Sequence, residues 1–203
     1  MSWQERTKEK MLHLKLPTDP RWVGIAQMQI EDILVDHAYC EQKAASSCIS
    51  LILRFHDLEQ LVDTLTPIVA EEWGHFERVM EQLRKRNLKF KEPRKDEYVA
   101  KLNQFVKKGG NRKQQLTEVL LLNALIEARS CERFKLLSKQ IQDQELQRFY
   151  YELMISEAGH YVTFIELAKH YQDESLVNQR WQEWLEYEAQ VLKNMEIRGD
   201  RMH

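Results

Sequence analysis

Two copies of one short motif, Glu72-Trp-Gly-His75 and Glu157-Ala-Gly-His160, constrain this chain more than any other feature. Each lies in a stretch whose apolar residues recur at three- and four-residue steps, the period of a helix with one buried face. Three residues is just under one helical turn, so each motif aims a carboxylate and an imidazole at the same neighbour. Each motif also follows a glutamate that sits in another apolar stripe: Glu41 precedes Glu72 by 31 residues, and Glu127 precedes Glu157 by 30. Four helices that each carry a carboxylate inward, two of them with a histidine, supply the ligand set of a two-metal site.

The stripes give the element order. Pro17-Thr-Asp-Pro20 reads as a helix start, with Asp19 as cap and Pro20 in the first helical position. The helix that follows carries Ile30, His37, Glu41, Cys48, Ile52 and Phe55 on one face. After a break near His56 and Asp57, the next stripe is Leu58, Leu61, Leu65, Ile68, Glu72, His75, Val79 and Leu83. A proline cannot sit unperturbed in a helix interior, so this long helix is expected to start with Thr66 as cap and Pro67 as its first residue, after a short helical approach over 58–65. The third stripe runs through Leu116, Leu120, Asn123, Glu127, Cys131 and Phe134, and the fourth through Leu146, Leu153, Glu157, His160, Phe164 and Leu167. A last helix over about 176–197 carries Trp181, Trp184 and Glu188, and the polar tail beyond it is expected to fray.

Between the second and third stripes lies a long connection, residues 84–113, enough to travel back along a helix of roughly 30 Å. A short helix over 96–106, ended by Gly109 and Gly110, is expected on that path, with Tyr98, Leu102 and Phe105 facing inward. The fold class is therefore all-α: a ferritin-like four-helix bundle with one long crossover between the second and third helices, plus accessory helices. One domain spanning 1–203 is expected, with the bundle core at about 20–172 and the accessory helix at its C-terminal side.

Only six Gly and four Pro are present, too few for the turns of an all-β fold of 203 residues. Net charge is -2, so the whole chain offers no bulk attraction for nucleic acid, but the crossover does. It holds twelve Lys and Arg against three acids, and Arg84, Lys85, Arg86, Lys89, Lys91, Arg94 and Lys95 are its candidate contacts to an anionic partner. Three cysteines without C-x-x-C spacing read as reduced thiols. The first fifteen residues carry no apolar leader and no run approaches 18 apolar residues, so a cytoplasmic protein without membrane association is expected.

With seven His in a glutamate-rich chain, roughly one Glu-x-x-His arises by chance, so either copy alone is weak evidence. The conjunction is strong, because both copies fall on stripes and both follow a stripe glutamate at nearly one distance. Unpaired carboxylates in a core cost several kcal/mol or take up protons, whereas four carboxylates against two divalent ions sum to zero. Oxygen-rich ligation with one imidazole per ion suits two iron ions, with manganese as the alternative, and lacks the thiolates of structural zinc. Molecular oxygen is then the co-substrate. His37, one turn before Glu41, reads as a partnered core histidine or an outer support of the site. A ferritin-like iron-storage or ferroxidase protein and a manganese catalase-like peroxidase share these ligands. The first would have no use for a basic crossover, and metal content with peroxide turnover separates the second.

Similarity to di-iron carboxylate proteins implies that Glu72 and Glu157 bridge the ions, while Glu41 with His75 and Glu127 with His160 complete their shells. Val79 stands where the radical-generating subunit of ribonucleotide reductase carries an oxidisable tyrosine, which argues against a stable radical. The segments Asp36-His-Ala-Tyr-Cys-Glu-Gln-Lys-Ala-Ala-Ser46, Glu71-Glu-Trp-Gly-His-Phe-Glu-Arg-Val79, Ile126-Glu-Ala-Arg-Ser-Cys-Glu-Arg-Phe134 and Ser156-Glu-Ala-Gly-His-Tyr161 resemble those of the MiaE family of tRNA hydroxylases, over roughly residues 25–170. Gly74 and Gly159 stand where a larger residue is expected, but all six ligands are intact. The resemblance implies a non-haem di-iron monooxygenase that hydroxylates the isopentenyl group of 2-methylthio-isopentenyladenosine beside the tRNA anticodon. The partners implied are the tRNA anticodon loop, as the anionic partner of the crossover, and an external electron-donor protein, since the chain has no flavin- or nicotinamide-binding glycine motif. Arg129, Cys131 and Arg133 belong to the resembling segments without a readable role.

Overall fold

A computed structural model describes residues 13–202. Among them are seven helices: α1 (Trp22–Met28), α2 (Ile30–Arg54), α3 (Glu59–Lys85), α4 (Glu97–Phe105), α5 (Arg112–Gln140), α6 (Gln144–Tyr171) and α7 (Glu174–Lys193). They form two compact units. The first comprises Arg21–Asp96 with Arg198–Met202, and the second comprises Glu97–Ile197 with the described residues up to Pro20.

In the first unit α2 and α3 pack as a hairpin. Most of the stripe read from the sequence is buried, with Ile30, Ile52 and Leu58 only half-buried and Leu51 taking the place of Ile52: Ile33, Leu34, His37, Glu41, Ala45, Cys48 and Leu51 are buried on α2 and Leu61, Leu65, Ile68, Glu72, His75, Val79 and Leu83 on α3. The link between them is where His56 and Asp57 break the pattern. Two expectations for these helices are corrected. Neither Asp19 nor Pro20 starts the first helix: Arg21 holds the cap position without a side-chain cap, and the chain bends at Gln29 (φ -127°, ψ 41°), separating α1 from α2. Nor does α3 start at Thr66. It runs unbroken from Glu59 with Pro67 inside, and the Thr66 hydroxyl donates to the Val62 carbonyl at 2.7 Å. Pro67 and Asp63, whose carbonyl loses its helical donor, both face solvent, where water replaces that bond. The buried Leu61, Leu65 and Ile68 flank the defect on the packed face.

The second unit is built on the hairpin of α5 and α6, against which α7 packs, with α4 on α7. Asn111 and Gln114 form a reciprocal capping box at the start of α5, and Asp143 and Asp173 cap α6 and α7. Asp173 thus opens α7 earlier than the sequence pattern suggested. Gly109 and Gly110, at φ +85° and +78°, do not end α4, which stops at Phe105. They form the left-handed turn that leads into the Asn111 cap.

The tail does not fray. Asp200 and Met202 are buried, Met202 N donates to Asp36 Oδ2 at 2.7 Å, and Arg94 Nη1 meets Asp200 Oδ2 at 2.6 Å. Gly199 lies so close to α1 that a Cβ there would sit 2.5 Å from the Ile25 carbonyl carbon. Gly199→Ala is expected to destabilise the first unit by about 1–3 kcal/mol, read by urea denaturation, with the amide of Met202 losing protection from hydrogen exchange. The hydrogen bonds of Arg198, helped by the charge of Arg201, hold the Asp200 carboxyl down at about 2. Its contribution to docking is therefore complete above the usual carboxylate range and lost as pH falls through about 2, a loss that Asp200→Asn should abolish.

Candidate metal centre

In the first unit the periodicity of α2 and α3 brings three of the sequence-derived ligands together. Glu41, Glu72 and His75 are 4%, 1% and 6% exposed. One ligand atom from each lies within 4.8 Å of the others. His75 Nδ1 is 3.5 Å from Glu41 Oε2 and 3.6 Å from Glu72 Oε2. His37, fully buried one turn before Glu41, places Nε2 2.5 Å from Glu41 Oε1. It fixes the orientation of that carboxylate, as an outer partner of a ligand does.

The second unit repeats the theme. Glu157 and His160 project from one face of α6, buried, with His160 Nδ1 3.3 Å from Glu157 Oε2. Glu127 is buried on α5. Cys131, one turn past Glu127, donates its thiol to the Met154 carbonyl at 3.4 Å. Burial, with the negative charge of Glu157 and Glu127 nearby, pushes that thiol up to about 12. A group so hard to ionise is not a thiolate ligand. The donors on offer are thus carboxylate oxygens and imidazole nitrogens, two acids and one histidine in each unit. In the first unit, where Glu41, Glu72 and His75 converge, that set suits a divalent first-row ion and balances its charge.

The residues of the third resembling segment act on structure. Arg129 is fully buried: its Nε and Nη2 donate to Glu188 Oε1 at 2.9 and 2.7 Å, and Nη2 also donates to the Leu16 carbonyl at 2.9 Å. Its Nη1 donates to Glu132, whose carboxylate also receives Thr18 N at 3.0 Å and Thr18 Oγ1 at 2.7 Å. Tyr98 on α4 donates to Glu188 at 3.2 Å. Burial, reinforced by the neighbouring Arg129, lowers Arg133 to about 10. Arg129 and Glu132 therefore fasten α7 and the Leu16–Thr18 segment to α5. Glu132 escaped the sequence reading, although its three-residue spacing from Arg129 was visible.

The seven basic candidates on the crossover all lie in the first unit, and several answer its own acids. Lys91 Nζ is 2.5 Å from Glu31 and 3.3 Å from Asp32, Arg94 meets Asp32 at 3.0 Å as well as Asp200, and Lys85 meets Glu81 at 3.2 Å. Arg86 Nη1 donates to the Gln82 side chain at 2.5 Å, and the Lys89 backbone N–H donates to Glu31 at 3.1 Å. Arg84, Lys89 and Lys95 are exposed.

The family model described as tRNA-(MS[2]IO[6]A)-hydroxylase (MiaE) matches residues 5–203. The chain belongs to the MiaE family. Two curated relatives, from Pseudomonas putida and Salmonella typhimurium, are each called tRNA 2-(methylsulfanyl)-N(6)-isopentenyladenosine(37) hydroxylase. The first is 36% identical over 162 residues, 80% of this chain and 78% of that protein. The second is 36% identical over 110 residues, 54% of this chain and 40% of the other. A solved structure, Protein 43 with aldehyde deformylating oxygenase activity from Synechococcus, superposes with a TM-score of 0.88 at 31% identity, covering 94% of each chain. Membership of MiaE makes the chain an enzyme of the hydroxylase class and bears out the all-α, ferritin-like fold class. Among the described residues no helix is long and apolar enough to cross a membrane.

Proposed function

We propose that this chain hydroxylates the isopentenyl group of 2-methylthio-isopentenyladenosine next to the anticodon of tRNA. In this reading the chain acts as one domain over 1–203, in which Glu41, Glu72, His75, Glu127, Glu157 and His160 hold two iron ions. The observation that carries it is the recurrence, in each unit of a MiaE-family chain, of a buried Glu-x-x-His pair whose acid and imidazole sit 3.3–3.6 Å apart. Iron bound by carboxylates and imidazole supplies activation of molecular oxygen at a C–H bond. The chain's own residues do the rest. His37 orients Glu41, the buried Val79 and Leu83 keep water from the α3 side, and Cys131 stays a protonated thiol.

Inserting one oxygen atom into a C–H bond while the other leaves as water consumes two electrons and two protons. An external electron-donor protein is accordingly part of the reading, as is the cytoplasm, where tRNA resides. An anticodon-loop nucleotide is already unstacked, which lowers the cost of presenting it to a protein site. Arg84, Lys85, Arg86, Lys89, Lys91, Arg94 and Lys95 are the proposed phosphate contacts. Lys91 and Arg94 must share that role with Glu31, Asp32 and Asp200.

The test is a single turnover of iron-loaded, chemically reduced protein with oxygen and tRNA carrying the isopentenylated adenosine, followed by nucleoside mass analysis. The expected product is the nucleoside with one added oxygen, absent with Glu157→Ala. Oxidation of many iron equivalents per chain with the nucleoside unchanged would overturn the proposal in favour of iron storage.

A further inference from the structure

The first unit carries four aromatic rings in a row that the metal ligands do not use. Tyr39 of α2 stacks on Phe90 of the crossover, with centroids 4.7 Å apart. Phe90 meets Phe76 edge-on at 6.1 Å, and Phe76 lies 5.0 Å from Trp73 on α3. Burial does not explain this run, because Trp73 and Phe90 are 47% and 39% exposed. Tyr39 and Phe76 are half-buried, with the Tyr39 hydroxyl donating to the Lys91 carbonyl at 2.9 Å, but the two exposed rings joined through Phe76 mark a surface that something covers.

Two features say what covers it. A groove of about 860 Å³ runs along α3, lined by residues 73–76, by Arg78 and Arg84, and by the acids Glu71, Glu77 and Glu81. His75, 6% exposed, reaches this groove, and Gly74 puts no side chain into it. Lys85 answers Glu81 at 3.2 Å, so the positive charge beyond the groove comes from the exposed Arg84, Lys89 and Lys95 of the crossover. Exposed rings beside the cations of the crossover are the two components of a surface for single-stranded nucleic acid: every base has a π-face to stack, and the backbone phosphates meet the positive charge, while the groove's own acids keep those phosphates to the crossover side.

We propose that the Tyr39, Phe90, Phe76 and Trp73 row is a stacking platform for unpaired bases flanking the modified adenosine of an RNA loop, with Trp73 as its outermost ring. This rests on the RNA-substrate reading above and adds the residues that recognise the loop apart from the metal ligands. Stacking is insensitive to salt, whereas phosphate contacts are not.

The test is anisotropy of a labelled anticodon stem-loop RNA carrying isopentenyladenosine, titrated with wild type, Trp73→Ala, Trp73→Phe, Phe90→Ala and Lys89→Ala from about 50 to 200 mM salt. Circular dichroism and iron content serve as controls for folding. Trp73→Ala and Phe90→Ala are each expected to weaken binding about tenfold or more at an unchanged salt slope, and Trp73→Phe to restore most of it. Lys89→Ala is expected to lower the slope instead. Wild-type affinity in Trp73→Ala, with RNA hydroxylation intact, overturns the platform alone. So does a defect in Trp73→Ala confined to reduction by a donor protein. Failure of the wild type to bind the RNA at all overturns the substrate reading and the platform with it.

Discussion

Replacing Arg129 with leucine is expected to cost about 3–5 kcal/mol, a large share of the 5–15 kcal/mol that holds a typical domain together. The loss exceeds what its hydrogen bonds alone would give because Glu188, its partner, is fully buried and would lose its direct ion pair, keeping only the Tyr98 hydroxyl and the nearby charge of Arg133. Burial already raises the Glu188 carboxyl against the pull of Arg129. A carboxyl raised in the folded state weighs on stability at pH values above its folded titration, so the deficit of Arg129→Leu should shrink as pH is lowered. The double variant Arg129→Leu/Glu188→Leu is expected to recover most of the loss, since an apolar pair of similar volume needs no charge compensation. Urea denaturation of the three proteins decides it. A double variant no more stable than the single one would mean that the contacts to Leu16, Thr18 and Glu132, not the charge pair, carry the effect.

Iron loading should raise the melting temperature by about 5–10 °C when free iron stands a hundredfold above its dissociation constant, since that excess is worth about 2.7 kcal/mol and each kcal/mol moves a chain of this size by about 2–4 °C. The physical source is the crowding of buried acids. Glu41 and Glu72 face one histidine, and Glu157 pairs with another. Calorimetry of apo and anaerobically iron-loaded protein at neutral pH reads the increment directly, and Glu72→Ala should remove most of it. Identical melting of the two forms would be incompatible with a buried metal site.

The four long helices, and the burial of the six proposed ligands on them, were legible because their signal is periodic: one side chain in three or four must face inward, and the glutamates and histidines fall in register with leucines that do. Pro67 misled for the converse reason. A single local preference was set against a stripe of buried residues on both sides, and the unmade backbone bond falls on the wet face, where it costs little. Arg129 and Glu132 gave no hint of their partners, since Glu188, Thr18 and Leu16 lie far off in sequence and no period links them. The aromatic row was hidden in the same way: Phe90 sits in an irregular stretch, and only the folded crossover lays it between Tyr39 and Phe76.

The docked segment Arg198–Met202 bears on the order in which this protein can be made. The unit formed by Arg21–Asp96 has all its helices early in synthesis, yet Asp36, Ile25 and Arg94 acquire their last neighbours only after the whole of Glu97–Ile197 has emerged from the ribosome. Until then a half-finished hairpin bearing three of the proposed ligands waits with an open seam, which Arg198–Met202 closes.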